Sequence, residues 1–200
     1  VLRDVSFEVK KGEIAVLQGL SGIGKSTLLK IILGIIKPTG GALTLDFQDL
    51  RLPADGGARG LFAYVPQGNL ILSGSIRKNI AFFDDSADDE KIISAAKNAC
   101  IWDFICSLPD GLDTEIGENG AGLSEGQVQR IAIARALYRG APVILLDEAT
   151  SALDENTEAQ VLENIRKMKS KTCIIITHKD AALKICDKFL KLSNGVLEIK

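Results

Sequence analysis

The run Gly19-Leu20-Ser21-Gly22-Ile23-Gly24-Lys25-Ser26-Thr27 carries the clearest chemistry in the sequence. It fits the spacing G-x-x-x-x-G-K-[ST], follows an apolar stretch that reads as a strand and opens a segment that reads as a helix. Glycines at these positions let the main chain close around an anion where a Cβ would obstruct it. Successive N–H groups can then face one concavity, and a helix N-terminus adds a favourable dipole. Lys25 is spaced to reach the outer phosphates of a nucleotide, and the Ser26 hydroxyl to ligate Mg²⁺. A glycine turn with a surface lysine is the plainer alternative, and the flanking strand and helix argue against it.

A second constellation is acidic. Val143-Ile144-Leu145-Leu146-Asp147-Glu148 sets two carboxylates at the C-terminal end of an apolar strand, the end at which open α/β sheets bind their ligands. Asp147 is suited to hold Mg²⁺ through a water, and Glu148 to take a proton from an attacking water. Farther out lie Tyr64-Val65-Pro66-Gln67, Leu123-Ser124-Glu125-Gly126-Gln127, Ser151-Ala152-Leu153-Asp154 and the single histidine, His178, after an apolar stretch.

In order and approximate spacing these segments resemble the nucleotide-binding domain of ABC transporters over essentially the whole chain. Leu123 to Gln127 stands where that family has its L-S-G-G-Q signature. The resemblance implies ATP and Mg²⁺ as cofactors. It implies Lys25 and Ser26 on phosphate and metal, Gln67 and Asp147 at the metal, Glu148 as general base, and His178 on the γ-phosphate. Ser124, Gly126 and Gln127 would hold ATP bound to a second copy, and Asp154 would touch that copy. Two ATP molecules would thereby join two domains head to tail and drive a transmembrane domain from the cytoplasmic face of the membrane. Ser73 to Ile80 and Thr114 to Gly120, with Glu118, resemble segments found in exporters. A soluble relative acting on nucleic acid or ribosomes is the first competing reading, and a nucleotide switch without hydrolysis is the second. The absence of a coiled-coil insert and of basic linkers opposes the former; retention of Glu148 and His178 opposes the latter.

The sequence departs from the family pattern at Glu125, which replaces the first signature glycine and brings a carboxylate toward an expected phosphate position. The family's adenine-stacking aromatic lies upstream of the first strand, before Val1, so the chain is expected to be cut from a longer protein. Phe7 or Tyr64 could take its place only where the geometry permits.

The elements that must position these residues follow from periodicity. Alternation at Val5, Phe7 and Val9 predicts a first strand, and Ile14 to Leu17 a second. Lys25 to Leu33 predicts a helix ended near Gly34, and Ala42 to Leu45 and Leu61 to Val65 predict strands. Helices are predicted from Ser75 to about Leu108 and from Gly122 to about Arg139. A strand at Val143 to Leu146, a helix at Glu155 to Met168 and a strand at Thr172 to Thr177 complete the pattern. The expected fold is therefore α/β: a P-loop NTPase core with a mostly parallel sheet, an N-terminal antiparallel β subdomain and a helical insert at about 75–140, all in one domain over 1–200. Asp84, Asp85, Asp88, Asp89 and Glu90 read as helix-capping acids, with a metal site as the sharper alternative.

Composition agrees with a globular chain: 46% hydrophobic and 25% charged residues, with a formal net charge of −2. No basic excess exists for a nucleic-acid surface. The longest apolar run, Leu28 to Ile36, contains Lys30 and is too short to span a bilayer. The four cysteines form no C-x-x-C pair and are expected to be reduced thiols.

Overall fold

Strands with almost no polar side chain can exist only where both faces are covered. Ile14–Gln18 (β1) is the first of these. The following loop enters Lys25–Ile32 (α1), and a hairpin of Thr44–Phe47 (β2) and Leu50–Pro53 (β3) comes next. Phe62–Val65 (β4) leads to a short strand, Gly74–Ser75 (β5), and the helix Ile76–Ala81 (α2). Asp89–Asn98 (α3), Trp102–Ser107 (α4) and the short strand Glu115–Ile116 (β6) follow. Glu125–Arg139 (α5), Val143–Asp147 (β7), Glu155–Lys167 (α6) and Thr172–Ile176 (β8) return the chain to the sheet. Asp180–Ile185 (α7), Lys188–Ser193 (β9) and Val196–Ile199 (β10) close it. This computed structural model describes residues 2–47, 50–53, 56–68, 71–82, 84 and 86–199.

The main sheet has the order β10-β9-β1-β8-β7-β4. Its strands are parallel except β10, which pairs antiparallel with β9. Side chains alternate between two apolar clusters. Ile14, Val16, Ile144, Leu146, Cys173 and Ile175 enter one cluster. Ala15, Leu17, Leu145, Ile174 and Ile176 enter the other. The period-two geometry of a strand thus splits one apolar run between two faces. The first cluster also contains Ile76, Ile80, Ile92, Ile105 and Ile131, so the helices from α2 to α5 pack against the sheet through continuous apolar contact.

α5 is bounded by strong local signals. Ser124 Oγ accepts from the Gln127 N–H and Gln127 Oε1 accepts from the Ser124 N–H, a reciprocal capping box. Gly140 ends the helix with φ 74°, a left-handed conformation that glycine adopts without a Cβ penalty.

The N-terminal expectation needs correction. Val5, Phe7 and Val9 do alternate between half-buried and exposed neighbours, but they form no strand. Arg3 N–H bonds to Gly195 O, and Lys10 N–H to the Glu13 carboxylate, so no ladder partner lines the segment. A strand requires such a ladder as well as the side-chain pattern. Among the described residues the antiparallel subdomain is the β2–β3 hairpin alone, and β2 starts at Thr44 rather than Ala42.

Acidic capping is realised at Asp88, whose carboxylate accepts from the Glu90 N–H at the start of α3. Asp84 accepts from Ser86, and Asp89 pairs with Arg77. Asp85 lies outside the described residues. The four cysteines are free thiols, and burial pushes the Cys173 thiol up to about 12. Among the described residues no helix is long and apolar enough to cross a membrane.

Candidate nucleotide site

Because β1, β8, β7 and β4 are parallel and adjacent, their C-terminal ends share one edge of the sheet. The glycine-rich loop leaves β1, Asp147 and Glu148 end β7, His178 follows β8, and Gln67 follows β4. Topology alone therefore gathers residues that are far apart in sequence.

In the loop, Gly22 and Gly24 have φ of 76° and 116°. Gly24 is the residue before α1, so the turn into the helix depends on that conformation. A Cβ on Gly19 would lie 2.6 Å from Leu192 O, so the loop root packs directly on β9. Lys25 is buried. Its Nζ donates to Gly19 O at 2.8 Å and Leu20 O at 3.0 Å, folding the loop around its own ammonium group. Ser21 and Gly22 are exposed at the tip, and Thr27 is half-buried in the first turn of α1.

The loop meets the acids through Ser26, whose Oγ donates to Asp147 Oδ1 at 3.3 Å. The other oxygen, Asp147 Oδ2, accepts from Tyr64 Oη at 3.1 Å. Burial, followed by the Asp147 charge and this hydrogen bond, raises the Tyr64 phenol well above its ordinary value. Gln67 Nε2 donates to Glu148 Oε2 at 2.8 Å. His178 Nε2 lies 3.8 Å from Glu148 Oε1, beyond hydrogen-bond distance. Glu148 itself has φ 52°, a left-handed conformation costing a non-glycine residue about 1–3 kcal/mol. Its N–H is held by Ile176 O at 3.0 Å, so β8 fixes the turn that presents the carboxylate.

Lys25, Ser26, Gln67, Asp147, Glu148 and His178 are thus brought together. Ser124, Gly126, Gln127 and Asp154 form a second group. Ser124 and Gln127 bond to each other at the start of α5, and Asp154 caps α6 by accepting from the Thr157 N–H. A Cβ on Gly126 would lie 3.1 Å from Ala152 O, so α5 rests on the loop leading to Asp154. Gln129, buried one turn along α5, locks that packing: Nε2 donates to Ser151 Oγ at 2.8 Å and Oε1 accepts from the Ala152 N–H at 2.9 Å. Glu125 is exposed in the first turn of α5, where the helix dipole favours a carboxylate.

The segments around Ile76 and Glu118 are also joined. β5 pairs with β6, and the Ile76 N–H donates to Thr114 O at 3.0 Å. Arg77 Nε donates to Asp113 Oδ1 at 2.8 Å, and Glu118 stands exposed just beyond. Phe7 lines a separate groove of about 1080 Å³ with Val9, Leu45, Phe62 and Ile174, while the Tyr64 hydroxyl is committed to Asp147.

Sequence reasoning missed the contacts of Tyr64, Gln129 and Lys179. A polar glutamine among the apolar residues of α5 was a usable signal for Gln129, since buried polar groups need partners. Tyr64 and Lys179 gave none, because their partners are 83 and 29 residues away.

The family model described as ABC transporter matches residues 2–151. The chain is 42% identical over 196 residues to a probable ABC transporter ATP-binding/permease protein of Haemophilus influenzae, covering 98% of this chain and 36% of that protein. It is 41% identical over 196 residues to the leukotoxin translocation ATP-binding protein LktB of Mannheimia glucosida, covering 98% of this chain and 28% of that protein. Among solved structures, a bacterial Atm1-family ABC exporter with ATP bound superposes with a TM-score of 0.86 at 37% identity, covering 99% of this chain and 35% of the exporter chain. The chain therefore spans about a quarter to a third of the length of these relatives.

Proposed function

This chain belongs to the ABC transporter family, and from that premise we propose that it binds ATP with Mg²⁺ and hydrolyses the γ-phosphate to drive an exporter. The domain reading goes with it: one ATPase unit over 1–200 with a helical part at about 75–140. The observation that carries the proposal is the contact chain from the loop to the acids: Lys25 and Ser26, then Asp147, with Glu148 and His178 beside it.

The donor set suits Mg²⁺. Ser26 Oγ and Asp147 Oδ1 are hard oxygens 3.3 Å apart. Among the described residues no group of three or more His, Cys, Asp or Glu could hold a metal alone. A cation held here would take its remaining ligands from substrate phosphates and water, the usual manner of Mg²⁺. When bound, it neutralises phosphate charge that develops during transfer. Ser26, Asp147 and the Gln67 side chain are the residues that would hold it.

The protein's own groups do the rest. Loop N–H groups and Lys25 orient the phosphates, so catalysis is largely positioning and electrostatics. Glu148 accepts the proton of the attacking water, and His178 faces the same carboxylate. Gln67 donates to Glu148 Oε2 and leaves Oε1, 3.8 Å from His178, for the water.

Among the described residues, the second group, Ser124, Gly126, Gln127 and Asp154, makes no hydrogen bond or ion pair with the glycine-rich loop of the same chain, which favours a role toward another copy. We assign it to the γ-phosphate of ATP on a second domain in a head-to-tail dimer, attached to a transmembrane domain at the cytoplasmic membrane face. The ATP-binding/permease name of one relative and the exporter identity of the solved structure support that assembly. The test is phosphate release by the full-length transporter. Turnover that requires both ATP and Mg²⁺ supports the reading, and no turnover contradicts it.

Two further results are expected. Tyr64→Phe removes the donor on Asp147 Oδ2. It raises the Mg²⁺ concentration for half-maximal turnover by about tenfold, in line with outer-shell partners of metal ligands; an unchanged Mg²⁺ dependence contradicts the role. Glu125→Gly, in a Glu148→Gln background, strengthens ATP-dependent dimerisation by relieving repulsion with the opposing phosphate. Equal dimer fractions measured by light scattering contradict that expectation.

A further inference from the structure

His178 is more than half exposed at its side chain and has no hydrogen bond of its own to hold it against Glu148. Its neighbours do the holding. Thr177 is buried, and its Oγ1 accepts from the Lys179 N–H at 3.1 Å. The Lys179 side chain then crosses to the loop after β7. Its Nζ donates to Thr150 O at 2.9 Å and to Leu153 O, and lies 3.7 Å from Glu158 Oε2.

Glu158 projects from the first turns of α6 and is fully buried. Its Oε1 accepts from Thr150 Oγ1 at 2.6 Å, while Oε2 has no hydrogen bond. Lys179 is therefore the positive charge facing that oxygen. A buried carboxylate with one free oxygen is costly unless a cation stands by it. Burial raises the Glu158 carboxyl above its ordinary value, while the Thr150 hydrogen bond and then Lys179 pull it down. The lysine thus answers two needs: it compensates a buried acid and caps two carbonyls of the Thr150–Leu153 turn.

We propose that Lys179 is a positioning residue for hydrolysis: latched to Thr150, Leu153 and Glu158, it holds the backbone of His178 so that the imidazole faces Glu148. The latch also ties His178 to the loop that carries Ser151 and Asp154. This inference rests on the ATPase reading above. It adds a residue that contacts neither phosphate nor water. A purely structural alternative exists, in which Lys179 only neutralises Glu158, and the two differ in outcome.

The experiment uses the full-length transporter and steady-state ATP hydrolysis together with thermal unfolding. Lys179→Met lowers kcat by about 10- to 100-fold, the scale of a small misplacement of a catalytic group, while the KM for ATP changes little. Lys179→Arg keeps the charge and the donors, and restores most of kcat. Lys179→Met alone also lowers Tm, because Glu158 is left buried without its cation. The double variant Lys179→Met with Glu158→Gln removes that charge. Tm recovers, and kcat stays low because His178 is still unlatched. Recovery of kcat together with Tm in the double variant overturns the proposal, as does wild-type kcat in Lys179→Met. Failure of the wild-type transporter to hydrolyse ATP overturns the ATPase reading itself, which distinguishes the two failures.

Discussion

Glu148→Gln lowers ATP turnover by about 10²- to 10⁴-fold, the range that a positioned general base contributes, and leaves ATP bound. The geometry explains the split. Glu148 makes no hydrogen bond or ion pair with the glycine-rich loop or with Lys25; its side chain meets Gln67 and His178, and its backbone bonds to Ile176 and Ser151. Glutamine retains the shape and can still bond to Gln67, but it cannot take a proton. The strained φ of 52° belongs to the backbone and persists in the variant, so folding is expected to be unaffected. The check is phosphate release alongside equilibrium ATP binding. Equal loss in both would mean that Glu148 serves binding rather than chemistry.

Lys25→Ala acts on the other step. The ammonium group is buried and held by Gly19 O and Leu20 O, at the mouth of the helix that the phosphates must approach. A charged group makes hydrogen bonds of about 1.5–3 kcal/mol each. Losing contacts to two phosphates therefore weakens ATP binding by on the order of a hundredfold or more. The same change frees two carbonyls that Lys25 satisfied, so the loop loses its internal tie as well as its charge. Titration with a fluorescent ATP analogue reads the effect. Lys25→Arg is expected to recover little, because a guanidinium does not fit where a compact ammonium bridges two carbonyls. Wild-type affinity in Lys25→Ala contradicts the assigned role.

How much of this was legible in the sequence depends on whether a contact is local. The loop from Gly19 to Thr27 was legible because its glycines, lysine and serine act through the turn and helix they themselves form. The capping of α5 by Ser124 and Gln127 is local in the same way, as is Asp154 at the start of α6. The buried strands were legible from their apolar runs. The strand at Val5 to Val9 was misread because alternation records which side chains are covered, whereas a strand also requires a neighbouring backbone. β9 was passed over because Lys188 and Lys191 interrupt its apolar pattern and its pairing with β1 is distant in sequence. The Asn194-Gly195 turn joining β9 to β10, with both residues at positive φ, was a hairpin signal in the sequence. Tyr64, Gln129 and Lys179 were illegible as site residues because the sheet order creates their contacts. Tyr64 meets Asp147 only because β4 lies beside β7, and Lys179 meets Thr150 only because β8 lies on the other side.

The division into two groups of site residues gives each mutation a distinct signature. Changes at Lys25 and Ser26 are expected to act on nucleotide and metal affinity, changes at Glu148, His178 and Lys179 on turnover, and changes at Ser124, Glu125 and Asp154 on the association of two copies. Gln129 and Gly126 connect the last group to the loop after β7, so a Gln129→Leu variant is expected to disturb dimerisation more than ATP binding.

The most direct measurement is the identity of the nucleotide retained by the full-length transporter after incubation with Mg²⁺ and ATP followed by rapid desalting. Glu148→Gln should retain ATP rather than ADP, and adding Lys25→Ala should abolish the retention. Retained ADP in the Glu148→Gln protein, at the level seen in wild type, would contradict the assignment of Glu148 as the base and with it the proposed site.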